Sequence, residues 1–458
     1  MASTRSTVAL KQVSSSLAAV FRGKNLLNET VKTMVISIGI MFLNMATGII
    51  TARSLGPEGR GIQTVLILWP QFLAFATTLG IHSALLYHMK KSKEEEADLY
   101  YSSLLLTLVA GTGAVLFGIF FIPLWLGSES QAVITHIQWF MGATPFMLLF
   151  FMHNSLFRGR EEFHLFNRMR YLVPFITLLL LVGLSMIDRL TPYTSGIAYL
   201  VPYLPVTLFA IARGLRLYRP KWDGIRASSR KIISYGLGAY GIDLLGNFIL
   251  YIDQIILIGL LAPGPLGLYV VAVSLSRMLN IFSSSIVMVL FPKLSGLENK
   301  EAALLSLRVF KITTIGALLC AAVLMLAAPV LIQLLYGKLF LDSIPVFSLL
   351  VLEVILGGSA MILAQAFMAS GKPFVVTISQ AIGIVLVIPL MYLLVPSYGL
   401  IGAGFALLIP STIRLSYVII VFQRKFRFGL REFIIAKADF VWVKNMARGA
   451  KASASSSS

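Results

Sequence analysis

The stretch IGIVLVIPLMYLL, residues 382–394, contains no charged side chain and no polar face. A helix on the surface of a soluble protein needs such a face, because one side of it meets water. The stretches ALLCAAVLML (317–326) and ITLLLLVG (176–183) have the same character. A helix that crosses a bilayer needs about 20 mainly apolar residues. These stretches therefore predict transmembrane helices.

Apolar runs of this kind recur along the whole chain. Hydrophobic residues make up 57% of the sequence and charged residues only 12%, whereas roughly a quarter of the residues in a soluble domain are charged. Runs bounded by charges, Gly and Pro predict spans at 31–53, 62–86, 99–126, 132–156, 171–190, 192–212, 232–262, 266–291, 306–336, 344–369, 374–396 and 399–422. We therefore predict an all-α integral membrane protein with about 12 transmembrane helices.

The net charge of +19 is distributed by side of the membrane. Most of the 38 Lys and Arg residues fall in the two tails and in every second loop. The alternate loops carry only Arg53, Arg60, Arg189 and Lys338. This positive-inside pattern predicts a multi-pass protein of the bacterial cytoplasmic membrane with both termini in the cytoplasm, and it argues against nucleic acid as a partner.

Five segments follow from the spans. They are a basic cytoplasmic N-terminal segment (1–30), a six-helix bundle (31–212), a basic cytoplasmic linker (213–231), a second six-helix bundle (232–422) and a basic cytoplasmic tail (423–458). The N-terminal segment places Leu10, Val13, Leu17 and Phe21 on one helical face. This pattern predicts an interfacial helix on an anionic leaflet, with a disordered tail or a transit peptide as the alternatives.

The two predicted bundles show a weak internal repeat. The turn LGPEGRG at 55–61 corresponds to LAPGPLG at 261–267, and Gly159-Arg160 corresponds to Gly371-Lys372. Both halves enter from the same side of the membrane, so the repeat is parallel and its axis runs along the membrane normal. The pattern favours two bundles around a central cavity.

The sequence contains no motif of catalysis or of metal binding. We find no P-loop, no HExxH helix, no CxxC pair and no Rossmann glycine pattern. The five histidines are scattered at positions 82, 88, 136, 153 and 164. We therefore predict that the protein is not an enzyme and holds no metal or other cofactor, apart from a transported proton or sodium ion.

An ordered series of short motifs resembles a known family. The series is ARSLGPEGRG (52–61), YIDQIILIGLLAPGPLGLYVVA (251–272), LFPKL (290–294), YG (336–337), GKP (371–373) and YGLIGAGFA (398–406). It resembles the polysaccharide transporter branch of the multidrug/oligosaccharidyl-lipid/polysaccharide exporter superfamily, whose members have two six-helix bundles and work by alternating access. The related lipid II flippases generally carry two additional helices, for which this chain has no room.

The resemblance implies a flippase for lipid-linked oligosaccharides of the O-antigen, capsule or exopolysaccharide kind. Its expected partners are membrane lipid, a polyprenyl-pyrophosphate-linked glycan and the polysaccharide polymerase machinery. The alternative is a cation-coupled exporter of drugs or small amphiphiles from the same superfamily. A basic cavity favours the first function, and a cavity dominated by carboxylates favours the second.

Charged residues inside membrane helices are costly and usually mark function. We expect Arg277 and Arg414 to bind the pyrophosphate, because a guanidinium grips phosphate oxygens with two parallel hydrogen bonds. Asp243, Asp253 and Glu353 are expected either to couple ion transport or to form salt bridges with these arginines. Helical rise places Asp243 about 5 Å and Asp253 about 10 Å from the depth of Arg277, which favours Asp243 as its partner.

Two further arginines are expected at the outer mouth. Arg53 and Arg60 flank the turn after the first span. Contact with the membrane surface and release of the substrate are the two roles considered for them.

Overall fold

The computed structural model describes residues 24–91, 93–126, 130–218 and 224–434, and its regular elements there are all helices. The α-helices are α1 (Lys24–Ala76), α2 (Ile81–Lys91), α3 (Glu96–Trp125), α4 (Gln131–Phe140), α5 (Thr144–Gly159), α6 (Phe163–Met186), α7 (Pro192–Leu200), α8 (Tyr203–Leu217), α9 (Ile225–Leu260), α10 (Pro263–Arg277), α11 (Asn280–Ser295), α12 (Asn299–Leu335), α13 (Ile344–Ala369) and α14 (Pro373–Phe426). Short 3₁₀ helices lie at Lys93–Glu95, Met141–Ala143, Lys338–Ser343 and Leu430–Phe433. The interfacial helix predicted within 1–30 falls largely outside the described residues, as does the tail beyond 434.

Nine helical segments in the described part of the chain are long and apolar enough to cross a membrane. Two of them, Lys32–Ala76 with 45 residues and Pro373–Phe426 with 54, have the length of two crossings each. Both are broken at a glycine with positive φ, at Gly56 (φ 67°) and Gly399 (φ 54°). Helix α9, with 36 residues, is long enough for one more crossing. The predicted all-α membrane fold of about twelve transmembrane helices is confirmed.

The break at Gly56 has a local cause. Pro57 follows it, and proline disfavours the α conformation of the residue before it. The backbone at Gly56 is therefore extended in ψ (−179°) and left-handed in φ, a combination that only glycine adopts without strain. The α-helical pattern is broken at this point, and one long helical run becomes two segments, each about the length of one membrane crossing.

One crossing is interrupted in its middle without a proline. The span Pro263–Ser295 consists of α10 and α11, which are separated only by Met278 and Leu279. The amides of Met278 and Leu279 donate to the carbonyls of Leu275 and Ser276, three residues back rather than four. The α-helix therefore ends at Arg277, inside the membrane-spanning segment.

The described chain divides into two compact units. The first unit contains residues 24–54 and Val65–Phe248, and the second contains Leu55–Thr64 and residues 249–434. The ten-residue segment after the first crossing thus packs with the second unit, and most of α9 packs with the first.

The first unit packs α2, α3, α5, α6 and α8 around Tyr100 and Phe157, whose side chains are fully buried. A charged cluster closes one end of this core. Arg160, in the turn between α5 and α6, forms ion pairs with Glu96 at 2.5 Å and with Glu162 at 2.8 Å. The hydroxyl of Tyr218 donates to Glu96 at 3.0 Å. The turn, the start of α3 and the end of α8 are therefore held together.

Burial lowers the pKa of Arg160, but the hydrogen bonds to Glu162 and Tyr218 and the charge of Glu96 outweigh it and raise the pKa above its ordinary value. Arg160 therefore stays charged within this cluster.

The second unit packs α11, α12, α13 and α14 around Phe367 and Phe422.

The two repeated turns found in the sequence contact each other within the second unit. A Cβ atom added at Gly61 would lie 1.8 Å from the carbonyl oxygen of Pro263, and one added at Gly267 would lie 1.9 Å from that of Pro57. The two contacts are reciprocal, since Gly61 and Gly267 each follow the corresponding proline by four residues. Glycine is required at both positions because the two backbones touch.

Candidate functional site

A buried ion pair links α9 and α10 in the second unit. Nη2 of Arg277 donates to Oδ2 of Asp253 at 2.8 Å, and the hydroxyl of Tyr269 donates to the same oxygen at 2.8 Å. The Asp253 side chain is only 1% exposed, whereas that of Arg277 is 36% exposed. The carboxylate is therefore enclosed, and the guanidinium still reaches open space.

The position of Arg277 at the end of α10 adds to its setting. The last carbonyl groups of a helix carry partial negative charge, which stabilises a cation placed there. The α-helical pattern is interrupted directly after Arg277, where the amides of Met278 and Leu279 donate to carbonyls three residues back. The arginine and the change in helix geometry therefore lie at the same level of the span.

A second acid lies on α13 and faces α14. Oε1 of Glu353 accepts a hydrogen bond from the hydroxyl of Ser411 at 2.9 Å. The charges of Arg277 and Arg414 both act on this carboxylate through space. Nε of Arg414 is buried and has no hydrogen-bond partner among the described residues. This donor is therefore left unsatisfied by the described part of the protein.

Gly383 makes room for Arg414 on the neighbouring crossing. A Cβ atom at this position would lie 3.0 Å from Cδ of Arg414 and 3.5 Å from its Nε. The arginine side chain therefore lies against bare backbone, and any larger residue at position 383 would push it away.

Two adjoining cavities open beside these charged groups. One has a volume of about 170 Å³ and is lined by Asp253, Arg277 and Ser411, and the other has a volume of about 200 Å³ and is lined by Ser283, Ser284 and Ser379. Both are also lined by Asn280, Glu353, Gln380 and Arg414. The site is therefore a polar chamber within the helices of the second unit.

The chamber carries two arginines and two carboxylates. The positive charge of Arg277 is matched directly by Asp253, while that of Arg414 meets Glu353 only at longer range. Such a chamber can hold an anionic group against Arg414, or it can exchange a cation at the carboxylates. Among the described residues, no cluster of His, Cys, Asp or Glu has the arrangement of a metal site.

The structure brings together four of the seven predicted residues: Arg277, Arg414, Asp253 and Glu353. The side chain of Asp243 lies outside the described part of the chain, although its backbone is part of α9. The structure pairs Arg277 with Asp253, and the expectation that Asp243 is also its partner stays a prediction. A long arginine side chain and the ending of α10 span the difference in depth.

The two arginines predicted at the outer mouth differ in burial. Arg53 is exposed on the first unit. Arg60 is 8% exposed, and its Nη1 donates to Oε1 of Gln63. The residues that line the chamber do not include Arg60.

Sequence reasoning missed Tyr269 and Ser411. Neither residue is charged, so the search for intramembrane charges passed over them. A buried tyrosine hydroxyl in an apolar helix usually has a hydrogen-bond partner, and this rule would have directed attention to Tyr269.

Comparisons with known proteins agree with this architecture. The family model described as polysaccharide biosynthesis protein matches residues 26–298, more than half of the chain. The comparison with curated proteins gives no match. Among solved structures, the chain is similar to the lipid II flippase MurJ in an inward closed conformation, with a TM-score of 0.71, 15% identity, and coverage of 88% of this chain and 89% of that one.

Two other solved structures share the fold. An inward-facing multidrug resistance MATE family transporter of the MOP superfamily has a TM-score of 0.67, 17% identity, and coverage of 85% of this chain and 94% of that one. A MOP superfamily transporter from Pyrococcus furiosus has a TM-score of 0.56, 16% identity, and coverage of 86% and 94%. At these identities the likeness concerns the fold. With the family match, it shows that the chain belongs to the polysaccharide biosynthesis protein family and has the fold of a MOP-superfamily transporter.

Proposed function

We propose that the protein moves a polyprenyl-pyrophosphate-linked oligosaccharide from the inner to the outer leaflet of the bacterial cytoplasmic membrane by alternating access, for the biosynthesis of surface polysaccharide. Both termini lie in the cytoplasm in this proposal, as the distribution of Lys and Arg indicates. The protein changes no covalent bond of its substrate. Its partners are membrane lipid, the lipid-linked glycan and the polymerase machinery that uses it.

The observation that carries the proposal is the buried, unpartnered Nε of Arg414 in a polar chamber among membrane helices. A diphosphate is very costly to bring into hydrocarbon by itself, whereas a guanidinium offers fixed charge and parallel donors for its oxygens. Family membership supports a polysaccharide pathway. Asn280 and Gln380 line the same chamber and supply hydrogen bonds to sugar hydroxyls.

Arg277 and the carboxylates complete the proposed site. Arg277 is held by Asp253 at 2.8 Å, and in this proposal its positive charge stabilises the pyrophosphate. Asp253 and Glu353 keep the empty chamber close to neutral, and they are the candidates for coupling a proton or sodium ion to export. Asp243 belongs to the same proposed group. Arg53 and Arg60 are proposed to assist substrate release.

Complementation of a strain that lacks the gene tests this function. Wild-type protein restores surface glycan, and Arg414→Ala reduces export about tenfold to a hundredfold, because a lost hydrogen bond to a charged group costs about 1.5–3 kcal/mol. Arg277→Ala is also expected to reduce export. Arg424→Ala is the matched control, since this arginine is exposed on the same helix as Arg414. Immunoblots of membranes confirm equal protein levels.

Normal surface glycan in a strain that carries Arg414→Ala and Arg277→Ala together would contradict the proposed site. Failure of the wild-type protein to restore glycan would contradict the proposed function.

A cation-coupled exporter of drugs or small amphiphiles is the second candidate. It is favoured by the buried carboxylate of Asp253, which is only 1% exposed. Drug resistance conferred on a sensitised strain, and lost in Asp253→Asn, would support it.

A further inference from the structure

The first unit contains a cavity that the proposed transport site does not use. It has a volume of about 360 Å³ and is lined by ten residues from the end of α1, the turn after it, the start of α2, α5 and α6. Two of the ten are arginines, Arg158 and Arg170, and none is a carboxylate. The chamber in the second unit is different, because its two arginines face two acids.

Among the described residues, neither arginine of this cavity forms an ion pair with an acid. The acids of the adjacent turn are already engaged, since Glu161 pairs with Lys90 at 3.4 Å and Glu162 pairs with Arg160 at 2.8 Å. Arg158 and Arg170 repel each other across the cavity. A bound anion would relieve this repulsion, because it would lie between two like charges.

The donors of the cavity are only partly used within the protein. Nη2 of Arg170 donates to the hydroxyl of Ser37 at 3.3 Å, which leaves the other N–H groups of its fork for a ligand. Arg158 is exposed. Oδ1 of Asn154 is buried and has no hydrogen-bond partner among the described residues, so it can accept a hydrogen bond from a ligand hydroxyl.

Aromatic rings also line the cavity. Phe75 and Phe151 stack with ring centroids 4.5 Å apart, and the guanidinium of Arg170 lies over the ring of Phe166 at 5.1 Å. Binding sites for small organic molecules combine such an apolar wall with a few fixed polar groups, in volumes of roughly 300–1,000 Å³. The cavity therefore suits a ligand with an anionic end, hydroxyl groups and an apolar ring face.

We propose that this cavity binds the sugar-phosphate portion of a glycolipid, with Arg158 and Arg170 on the phosphate, Asn154 on a sugar hydroxyl and the phenylalanine wall against the sugar ring. The inference rests on the proposed flippase function. Arg158 lies at the end of α5, next to a turn that the charge distribution assigns to the cytoplasm. The cavity is therefore a loading site for the headgroup at the inner leaflet.

Binding of radiolabelled glucose 1-phosphate to the purified full chain in phosphatidylcholine nanodiscs tests the site. We expect wild-type protein to bind this probe more tightly than glucose or inorganic phosphate. Arg158→Gln and Arg170→Gln each weaken binding at least about tenfold, the effect of losing a charged hydrogen bond. Arg170→Lys keeps the charge but loses the fork, so its binding is intermediate.

Arg168→Gln is the matched control. This residue lies on the same helix two positions before Arg170, is exposed, and stacks over Phe209 at 5.4 Å rather than lining the cavity. Its binding is expected to equal that of the wild type. Gel filtration of each variant verifies that the protein is folded.

A second arm distinguishes the substrate from ordinary membrane lipid. In nanodiscs that contain phosphatidylglycerol, binding of glucose 1-phosphate should persist. If phosphatidylglycerol abolishes it, the cavity holds a lipid phosphate and the sugar-phosphate assignment is overturned. Unchanged binding in the Arg158→Gln and Arg170→Gln variants, or no binding by the wild type, overturns the site as well.

The outcomes separate this inference from the proposed function. Restored surface glycan without any binding at the cavity leaves the flippase function standing and removes the loading site. Specific binding by a chain that does not restore glycan removes the flippase function and leaves a sugar-phosphate site.

Discussion

The reciprocal contact between Gly61 and Gly267 allows a quantitative prediction. In the Gly61→Ala variant, the new Cβ atom would lie 1.8 Å from the carbonyl oxygen of Pro263, whereas ordinary contact begins at 3.4 Å. The two backbones must therefore move apart by about 1.5 Å. Changes of rotamer cannot relieve the clash, because both groups are fixed to the main chain.

The expected cost follows from overpacking in other proteins. Extra methyl groups in a packed interior cost about 1–3 kcal/mol, and more where the backbone must shift. With about 2–4 °C in melting temperature for each kcal/mol in a unit of this size, Gly61→Ala should lower the Tm by about 2–12 °C. Thermal unfolding of the purified protein in detergent, followed by fluorescence-detected gel filtration, measures this shift.

Gly264→Ala is the matched control within the same motif. No atom lies within 4 Å of a Cβ at this position, and Gly264 is inside α10, so alanine should be neutral or stabilising by up to about 1 kcal/mol. Gly267→Ala in the Gly61→Ala background should cost less than it does alone, because the backbones are already separated. Equal Tm values for Gly61→Ala and Gly264→Ala would refute the close backbone contact.

Three further predictions concern charged groups. Asp253→Asn removes the carboxylate that pairs with Arg277. Because that guanidinium is partly exposed, we expect the free energy of unfolding to fall by about 1–3 kcal/mol, less than for a fully buried pair. A Tm unaffected by the change would contradict the pairing. Arg160→Ala breaks two ion pairs at the end of the first unit, and its Tm should fall by about 2–6 °C, while Arg168→Ala should be neutral. Burial, and to a lesser extent the charge of Lys231, lowers the pKa of His88 below 6.5. The contribution of neutral His88 to the stability of the fold is therefore fully present above pH 6.5, and it is lost as the pH drops through the lowered pKa. Between pH 7.5 and pH 5, the measured Tm should therefore decline less in His88→Gln than in the wild type.

Sequence patterns were sufficient for the architecture of this protein. Lipid forces each backbone N–H and C=O to bond within its own helix, so every crossing leaves a local signature of about 20 apolar residues. The runs at 382–394 and 317–326 are therefore readable without any knowledge of their neighbours. The breaks at Gly56 and Gly399 also have local causes, because they depend on glycine and on adjacent backbone conformation.

The candidate site was only partly predictable. Intramembrane charge singled out Arg277, Arg414 and Glu353, which line one chamber. Depth along the helix axis favoured Asp243 as the partner of Arg277, and the structure pairs it with Asp253. The basic residues at 158 and 170 read as part of the positive-inside pattern, and their shared cavity was not foreseen.

The sequence by itself determined the membrane environment, the number of crossings and the repeat of two glycine-proline turns, since each of these follows from residues close together in the chain. Only the tertiary structure decided that the two turns contact each other, that Asp253 holds Arg277, and that Arg158 and Arg170 lie beside a wall of phenylalanine rings. These features depend on how each helix is rotated and tilted against its neighbours. That choice is made by side-chain packing across the whole bundle, and hydropathy along a single helix does not encode it.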